Sequence, residues 1–235
     1  MTYPVAILAG GLATRMRPAT EKVPKSLLDV AGKPFVAHQL EYLRTQGVRD
    51  VVMCVGYLGE QVQEVVGDGS DWGLRVRYSP DGRKLLGTGG ALRKALPLLG
   101  EHFFVLYGDS FLPADFRAVE VSFRLARCPA LMTVMKNANR WDKSNATYRD
   151  GKVLQYDKRS PLAGMEFIDY GLGVLSADVL AAVTGEETLD LADVYHGLAA
   201  AGLLAGYEVH ERFYEIGSPE GLAQTERYFR ERQQQ

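Results

Sequence analysis

Residues 5–18 read VAILAGGLATRMRP. A short aliphatic run stops at Gly10-Gly11, and a loop carrying Thr14, Arg15 and Arg17 follows it. The run has the length of a buried strand. The next helical periodicity, Val36, Leu40 and Leu43 at i, i+4 and i+7, opens only near residue 34 and stops at Gly47. A strand-to-helix connection usually takes about 2–6 residues, so so long a loop is a candidate for function. It also holds Lys22, Lys25 and Ser26. Glycine backbone can approach a phosphate or a nucleobase closely, and cations beside it can neutralise charge. On these residues alone, a solvated basic loop with turn glycines is an equal alternative. The loop is not a P-loop, and the dinucleotide fingerprint lacks its third glycine both here and in GTGGAL (87–92).

Strand-like and helical patterns alternate outward from this start. Apolar runs stand at 50–55, 74–79, 103–108 and 130–135, with helical patterns at 58–66, 89–98 and 113–127 between them. Such alternation implies a doubly wound, mostly parallel, Rossmann-like α/β sheet with helices on both faces, which binds ligands beyond the carboxyl ends of its strands. From about 140 the rhythm changes. Two short strands flank a turn at Asp150-Gly151, and IDYGLGVLS (168–176) is a further strand. Helices are expected at 177–184, 191–201 and 219–233, a strand at 207–213, and a frayed tail at 233–235.

The 235 residues suit a single domain, with a first half to about 135 and a second from about 136. Hydrophobic residues make up 46% and charged residues 24%, an ordinary globular balance. A net charge of −2 draws the chain to neither nucleic acid nor an anionic membrane, so an anionic ligand needs a local cluster of cations. No basic residue precedes the apolar stretch 4–13, as a signal peptide would require, and no apolar run approaches the roughly 18 residues of a membrane span. Cys54 and Cys128 read as buried free thiols, and a cytoplasmic location is expected. The four histidines, His38, His102, His196 and His210, lack ligand spacing and read as structural or surface residues.

Three further stretches join the opening loop: PKSLLDVAGKP (24–34), LGTGGAL (86–92) and YGDS (107–110). With VLQYDK (153–158) and FYEIGSPEGL (213–222), they resemble, in this order, the sugar-1-phosphate nucleotidylyltransferases, and the resemblance covers essentially the whole chain. It implies a reaction in which a sugar 1-phosphate oxygen attacks the α-phosphorus of a nucleoside triphosphate and pyrophosphate leaves. Two polyanions must meet, so cations and Mg²⁺ do most of the catalysis.

By the same resemblance, Leu8, Gly10 and Gly11 pack beneath the nucleotide, Arg15 grips the departing phosphates, and Lys25 bridges the α-phosphate and the attacking phosphate. Gly87 and Thr88 lie against the base, though Thr88 also reads as a helix cap. Asp109 binds Mg²⁺, joined by Glu215 where the family usually has Asp, the two reaching one crevice from different strand ends. Lys158 contacts the sugar phosphate beside Asp157, where the family often has Glu. Asn145, Asp169 and Gly171 fall at expected sugar-hydroxyl contacts, with a turn residue and a strand-edge charge as the plainer readings of the first two. Ala13 replaces a usual glycine, which at positive φ would cost roughly 1 kcal/mol. No β-helical acyltransferase domain is expected after the terminal helix.

A nucleotide-sugar-binding regulatory subunit without turnover is the main rival, and a cytidylyltransferase with a non-sugar phosphate acceptor is another. A metal-dependent glycosyltransferase would want paired aspartates at the metal, and YGDS has one. The motifs look most like the heptose- or mannose-1-phosphate guanylyltransferase branch, while the base, the sugar and the oligomeric state stay open.

Overall fold

The computed structural model describes residues 2–184 and 188–234. Its strands are β1 (Val5–Ala9), β2 (Asp29–Val30), β3 (Lys33–Pro34), β4 (Asp50–Val55), β5 (Arg75–Pro80), β6 (His102–Tyr107), β7 (Ser110–Phe111), β8 (Ala130–Lys136), β9 (Ala146–Arg149), β10 (Lys152–Tyr156), β11 (Phe167–Ser176), β12 (Leu204–Glu208) and β13 (Tyr214–Glu215). The helices are α1 (Phe35–Thr45), α2 (Gly59–Val66), α3 (Gly87–Leu99), α4 (Phe116–Ala126), α5 (Ala177–Ala181), α6 (Leu191–Ala200) and α7 (Pro219–Gln233).

One nine-stranded sheet runs β5-β4-β1-β6-β11-β8-β12-β10-β9. β5, β4, β1 and β6 are mutually parallel, so their carboxyl ends open on one edge. β11 is antiparallel to both β6 and β8, and β12 is parallel to β8. The sheet is therefore mixed and mostly parallel, with the parallel half built from the alternating first part of the chain.

Strand alternation sorts the core. Val5 and Ile7 face a layer with Val36, Leu40 and Leu43 of α1, Val62 and Val66 of α2, and Val119 and Phe123 of α4. Ala6 faces the other layer, with Leu92, Ala95 and Leu99 of α3, Leu180 of α5, and Leu191 and Tyr195 of α6. Both faces are covered, as continuous apolar strands require.

Several boundaries differ from the sequence reading. The strand expected at 207–213 is β12 and ends at Glu208; Glu215 lies on a separate two-residue strand paired with β7. The helix expected at 113–127 begins at Phe116, because Asp115 accepts from Ala118 N (3.0 Å) as its N-cap. α5 ends at Ala181 rather than 184, and residues 185–187 lie outside the described residues, as does Gln235 of the expected tail. Cys54 is buried, whereas Cys128 is only half-buried at the core margin. Ala13 does adopt the left-handed backbone, with φ 49°.

α7 closes the fold over the loop that follows β1. Val30, Phe35, Phe111, Ile216 and Phe229 form a third, small core between α7 and the β2–β3 hairpin. His38, stacked on Phe229 at 3.8 Å and bonded to Val30 O at 2.8 Å, belongs to it as a structural residue. Glu226 Oε2 accepts from Ala31 N (2.6 Å), and this bond holds the Glu226 carboxyl below its ordinary range. A group whose folded pKa is depressed stabilises above its unfolded pKa, and the contribution fades as pH falls through the folded value. Glu226→Gln should thus lose about 1 kcal/mol in urea denaturation at pH 7. The deficit should shrink as pH falls below the ordinary glutamate range and through the depressed Glu226 value, where the carboxyl protonates. A deficit independent of pH contradicts the assignment.

Candidate active site

The carboxyl ends of β1, β4 and β6 and the amino end of α3 enclose a cleft of about 230 Å³. Leu8, Gly10, Gly11, Lys25, Gly87, Thr88 and Asp109, all selected from sequence, line it. Its floor is backbone against backbone. A Cβ on Gly56 would stand 2.6 Å from Gly10 O, and one on Gly108 2.9 Å from Leu8 O, so side chains there would force the strand ends apart.

Lys25 begins a short 3-10 turn after Pro24 and donates from Nζ to Asp109 Oδ2 at 2.9 Å. Both side chains are mostly covered, at 18% and 30% exposure, so the pair acts in a lower dielectric than a surface pair does. Asp109 sits just past β6, and Ile216 N donates to its carbonyl (2.9 Å). β13 extends this contact, with Glu215 opposite Ser110. The pairing brings Glu215 beside Asp109: Asp109 follows β6 of the main sheet, whereas Glu215 arrives on the separate β7–β13 pair and not from the end of β12.

A point 1.5 Å-scale off Gly217 Cα, where a Cβ would be, has Glu215 Oε2 at 2.8 Å, Asp109 Oδ2 at 3.3 Å and Arg15 Nη2 at 3.6 Å. Two carboxylates and a guanidinium therefore surround one small space. Glu215 is anchored there: Oε2 accepts from Gly217 N, and Oε1 accepts from Ser218 Oγ (2.6 Å), the N-cap of α7. The extra methylene of Glu, relative to Asp, is accommodated by missing side chains, since the Glu215 carboxylate fills the position of a Cβ on Gly221.

LGTGGAL does not present a free helix terminus. Leu189 O accepts from both Gly89 N (2.9 Å) and Gly90 N (3.1 Å), and Gly87, at φ +74°, has Leu189 O 2.5 Å from where its Cβ would be. Thr88 Oγ1 donates to Asp190 Oδ1 (2.9 Å) and accepts from Leu191 N (2.8 Å). Thr88 therefore bonds the start of α6, whose N-cap is Asp190, and does not cap α3, whose N-cap is Leu86. This interlock joins the two halves of the chain.

The second-half candidates gather on the far side of Tyr107. Asp169 Oδ1 accepts from Gly171 N (2.9 Å), its Oδ2 from Tyr156 Oη (3.3 Å), and Asn145 Oδ1 accepts from Asp169 N (2.8 Å). Burial raises the Asp169 carboxyl, opposed by the Gly171 bond and the Lys158 charge. Lys158 Nζ stands 5.5 Å from the centre of the Tyr107 ring. Gly171, at φ +97°, borders the same ring. Asp157 points elsewhere: its Oδ1 accepts from Arg159 N (2.9 Å) and Ser160 N (2.8 Å), which makes a turn and lowers its carboxyl. Tyr107 and Asp81, absent from the sequence candidates, both line the cleft. Each follows a simple signal, a polar residue at the carboxyl end of a parallel strand. Among the described residues, no group of three or more His, Cys, Asp or Glu forms a metal cluster. The Asp109–Glu215 pair fits a hard divalent cation that takes its remaining oxygens from substrate phosphate and water.

Residues 5–140 match the model of the nucleotidyl transferase family. The chain belongs to that family. It is 44% identical over 113 residues to N-acetylmuramate α-1-phosphate uridylyltransferase of Neisseria meningitidis, a match spanning 48% of this chain and 49% of the relative. It is 28% identical over 218 residues to D-glycero-α-D-manno-heptose 1-phosphate guanylyltransferase of Campylobacter jejuni, covering 91% and 94% of the two chains. The crystal structure of HddC from Yersinia pseudotuberculosis shares the fold, with TM-score 0.80 and 23% identity over 97% of this chain and 99% of that one. No described helix is long and apolar enough to cross a membrane.

The glycines around Glu215 make a direct test. Gly221→Ala should destabilise by about 1–3 kcal/mol in denaturant titration, as overpacking does. In a Glu215→Ala background the same substitution should cost much less, because the colliding carboxylate is then gone and only Glu215 O, 2.8 Å from the added Cβ, stays close. An equal cost in both backgrounds contradicts this packing.

Proposed function

We propose that this nucleotidyl transferase moves a nucleotidyl group from a nucleoside triphosphate to a sugar 1-phosphate, releasing pyrophosphate, with Mg²⁺ as its metal. The observation that carries the reading is the meeting of Lys25, Asp109, Glu215 and Arg15 at the mouth of a glycine-floored cleft. The named uridylyl- and guanylyltransferase relatives support it.

The charges fit the task. The triphosphate lies over Leu8, Gly10 and Gly11, with its base end toward Gly87 and its phosphates toward Arg15 and Lys25. Asp109 and Glu215 would hold the cation, which would supply charge neutralisation at the phosphates. Lys25, already oriented by Asp109, lies where it can meet both the α-phosphate and the incoming sugar phosphate. Lys158 approaches from the opposite wall across Tyr107 and draws the sugar phosphate in, while Asn145 Nδ2 and the Asp169 region meet the sugar. Thr88 and Asp157, each bonded within the protein, shape the cleft and the 157–160 turn in this reading.

Pyrophosphate release measured over a matrix of triphosphates and sugar 1-phosphates tests the reaction. Release that requires both substrates is expected, and release with none of the combinations contradicts it. Arg15→Ala and Lys25→Ala should each lower turnover by about 10²–10³ with the fold intact by circular dichroism. Near-normal turnover in either removes the assigned role. Lys158→Ala should raise KM for the sugar phosphate at least tenfold, roughly the effect of one lost charge-assisted bond. Calorimetric titration with triphosphate should be little changed; an equal loss in both measurements places Lys158 with the nucleotide instead.

A further inference from the structure

Loops that follow two further strands meet beside Glu215. β6 and β8 each run antiparallel to β11, and β12 runs parallel to β8, so residues 137–144 and 209–213 leave the sheet at the edge where the cleft opens. The first loop is knit by Asn137, which is 3% exposed. Its Nδ2 donates to Asp142 O (2.6 Å) and Ser144 Oγ (3.1 Å), and its Oδ1 accepts from Trp141 N (3.0 Å). The indole placed in this way carries two guanidinium groups, with Arg212 Cζ 3.8 Å from its ring centre and Arg140 Cζ 4.7 Å from it. Arg212 also lies over the Tyr214 ring, at 4.7 Å. Stacking on an aromatic face holds a guanidinium in place and leaves its N–H edge able to bond.

Among the described residues, neither arginine pairs with a carboxylate. Arg212 donates from Nε to Phe213 O (3.2 Å) and from Nη2 to Gln224 Oε1 (2.8 Å). Gln224 in turn donates to Glu220 Oε1 (3.1 Å), so a neutral amide stands between that carboxylate and the guanidinium. Arg140, Trp141 and Arg212 line a cavity of about 220 Å³ together with Glu215, Ser218 and Glu220. A cavity of this size suits part of a small molecule rather than a peptide or a nucleic-acid strand.

We propose that Arg140 and Arg212 form a subsite for a second anionic group on the acceptor, a carboxylate or phosphate carried on the sugar away from its 1-phosphate. This rests on the nucleotidyl-transfer reading and names the acceptor class of that site. In that reading the reacting phosphates gather at Lys25, Asp109 and Glu215, and the cavity begins at the same Glu215, so both anionic groups belong to one small molecule. A guanidinium suits the task, because its parallel N–H groups match the paired oxygens of a carboxylate or phosphate. A neutral sugar leaves both charges to water and gains nothing from them. A clasp that only stiffens the 137–144 loop would act on every acceptor alike.

kcat/KM with the preferred triphosphate tests this over three acceptors: a hexose 1-phosphate, its uronic acid 1-phosphate and its 1,6-bisphosphate. One charged acceptor or both should exceed the neutral one by about 10–100-fold, the effect of one charge-assisted bond or two. Which of them leads separates a carboxylate source from a phosphate source. Arg140→Gln and Arg212→Gln should each lower the charged-to-neutral ratio about tenfold, and Arg212→Lys should keep part of it. Arg140 is exposed, so its substitution should leave the circular dichroism spectrum unchanged and keep the test readable if Arg212→Gln fails to fold. A neutral acceptor that equals or exceeds both charged ones, or an Arg140→Gln loss that is uniform over all three, overturns the subsite while leaving nucleotidyl transfer intact. Pyrophosphate from no combination of triphosphate and acceptor overturns the reaction and this inference together.

Discussion

The bond between Lys25 Nζ and Asp109 Oδ2 ties the long loop after β1 to the carboxyl end of β6. Without it, the loop's cations would be surface charges of little consequence. With it, a cation and a carboxylate stand together at a floor of glycines, and each neighbour has a defined place around them. Gly108 lets β6 end against Leu8, β13 pairs with β7 to bring Glu215, and Arg15 reaches the same small space near Gly217. A charge-assisted bond of this kind contributes about 1.5–3 kcal/mol, enough to orient the site but weak enough for a phosphate to compete.

Support for this centre comes from parts of the chain remote in sequence. Gly221 of α7 makes room for the Glu215 carboxylate, and Glu226 of the same helix holds the β2–β3 hairpin just beyond Lys25. The interlock of Thr88 with Asp190 and Leu191 fastens the glycine-rich start of α3 to α6. Tyr107 stands between the cleft and the Asn145–Asp169–Gly171 cluster and borders both. The two halves thus share one sheet.

Much of this was legible in the sequence. The parallel half declares itself through VAILA, DVVMCV and FFVLYG, because strands buried on both faces are apolar throughout. Ala13 occupies a left-handed position that glycine usually takes, which the motif alone suggested. The failures share a cause, in that they depend on long-range contacts with no local pattern. The two-residue β13 is too short for any periodicity, so Glu215 seemed to arrive on the strand that really ends at Glu208. Thr88 looked like a cap for its own helix because nothing nearby announces Asp190, about a hundred residues away.

The proposed reaction turns on a cation held by Asp109 and Glu215 together. Crystals grown with Mn²⁺ and a non-hydrolysable analogue of the preferred triphosphate test it most directly, by anomalous scattering at the manganese edge. A single strong peak is expected between the Asp109 and Glu215 carboxylates, touching phosphate oxygen, with Lys25 Nζ against the α-phosphate. A peak bound by Asp109 with Glu215 still turned to Ser218 and Gly217, or a peak away from both carboxylates, would contradict it.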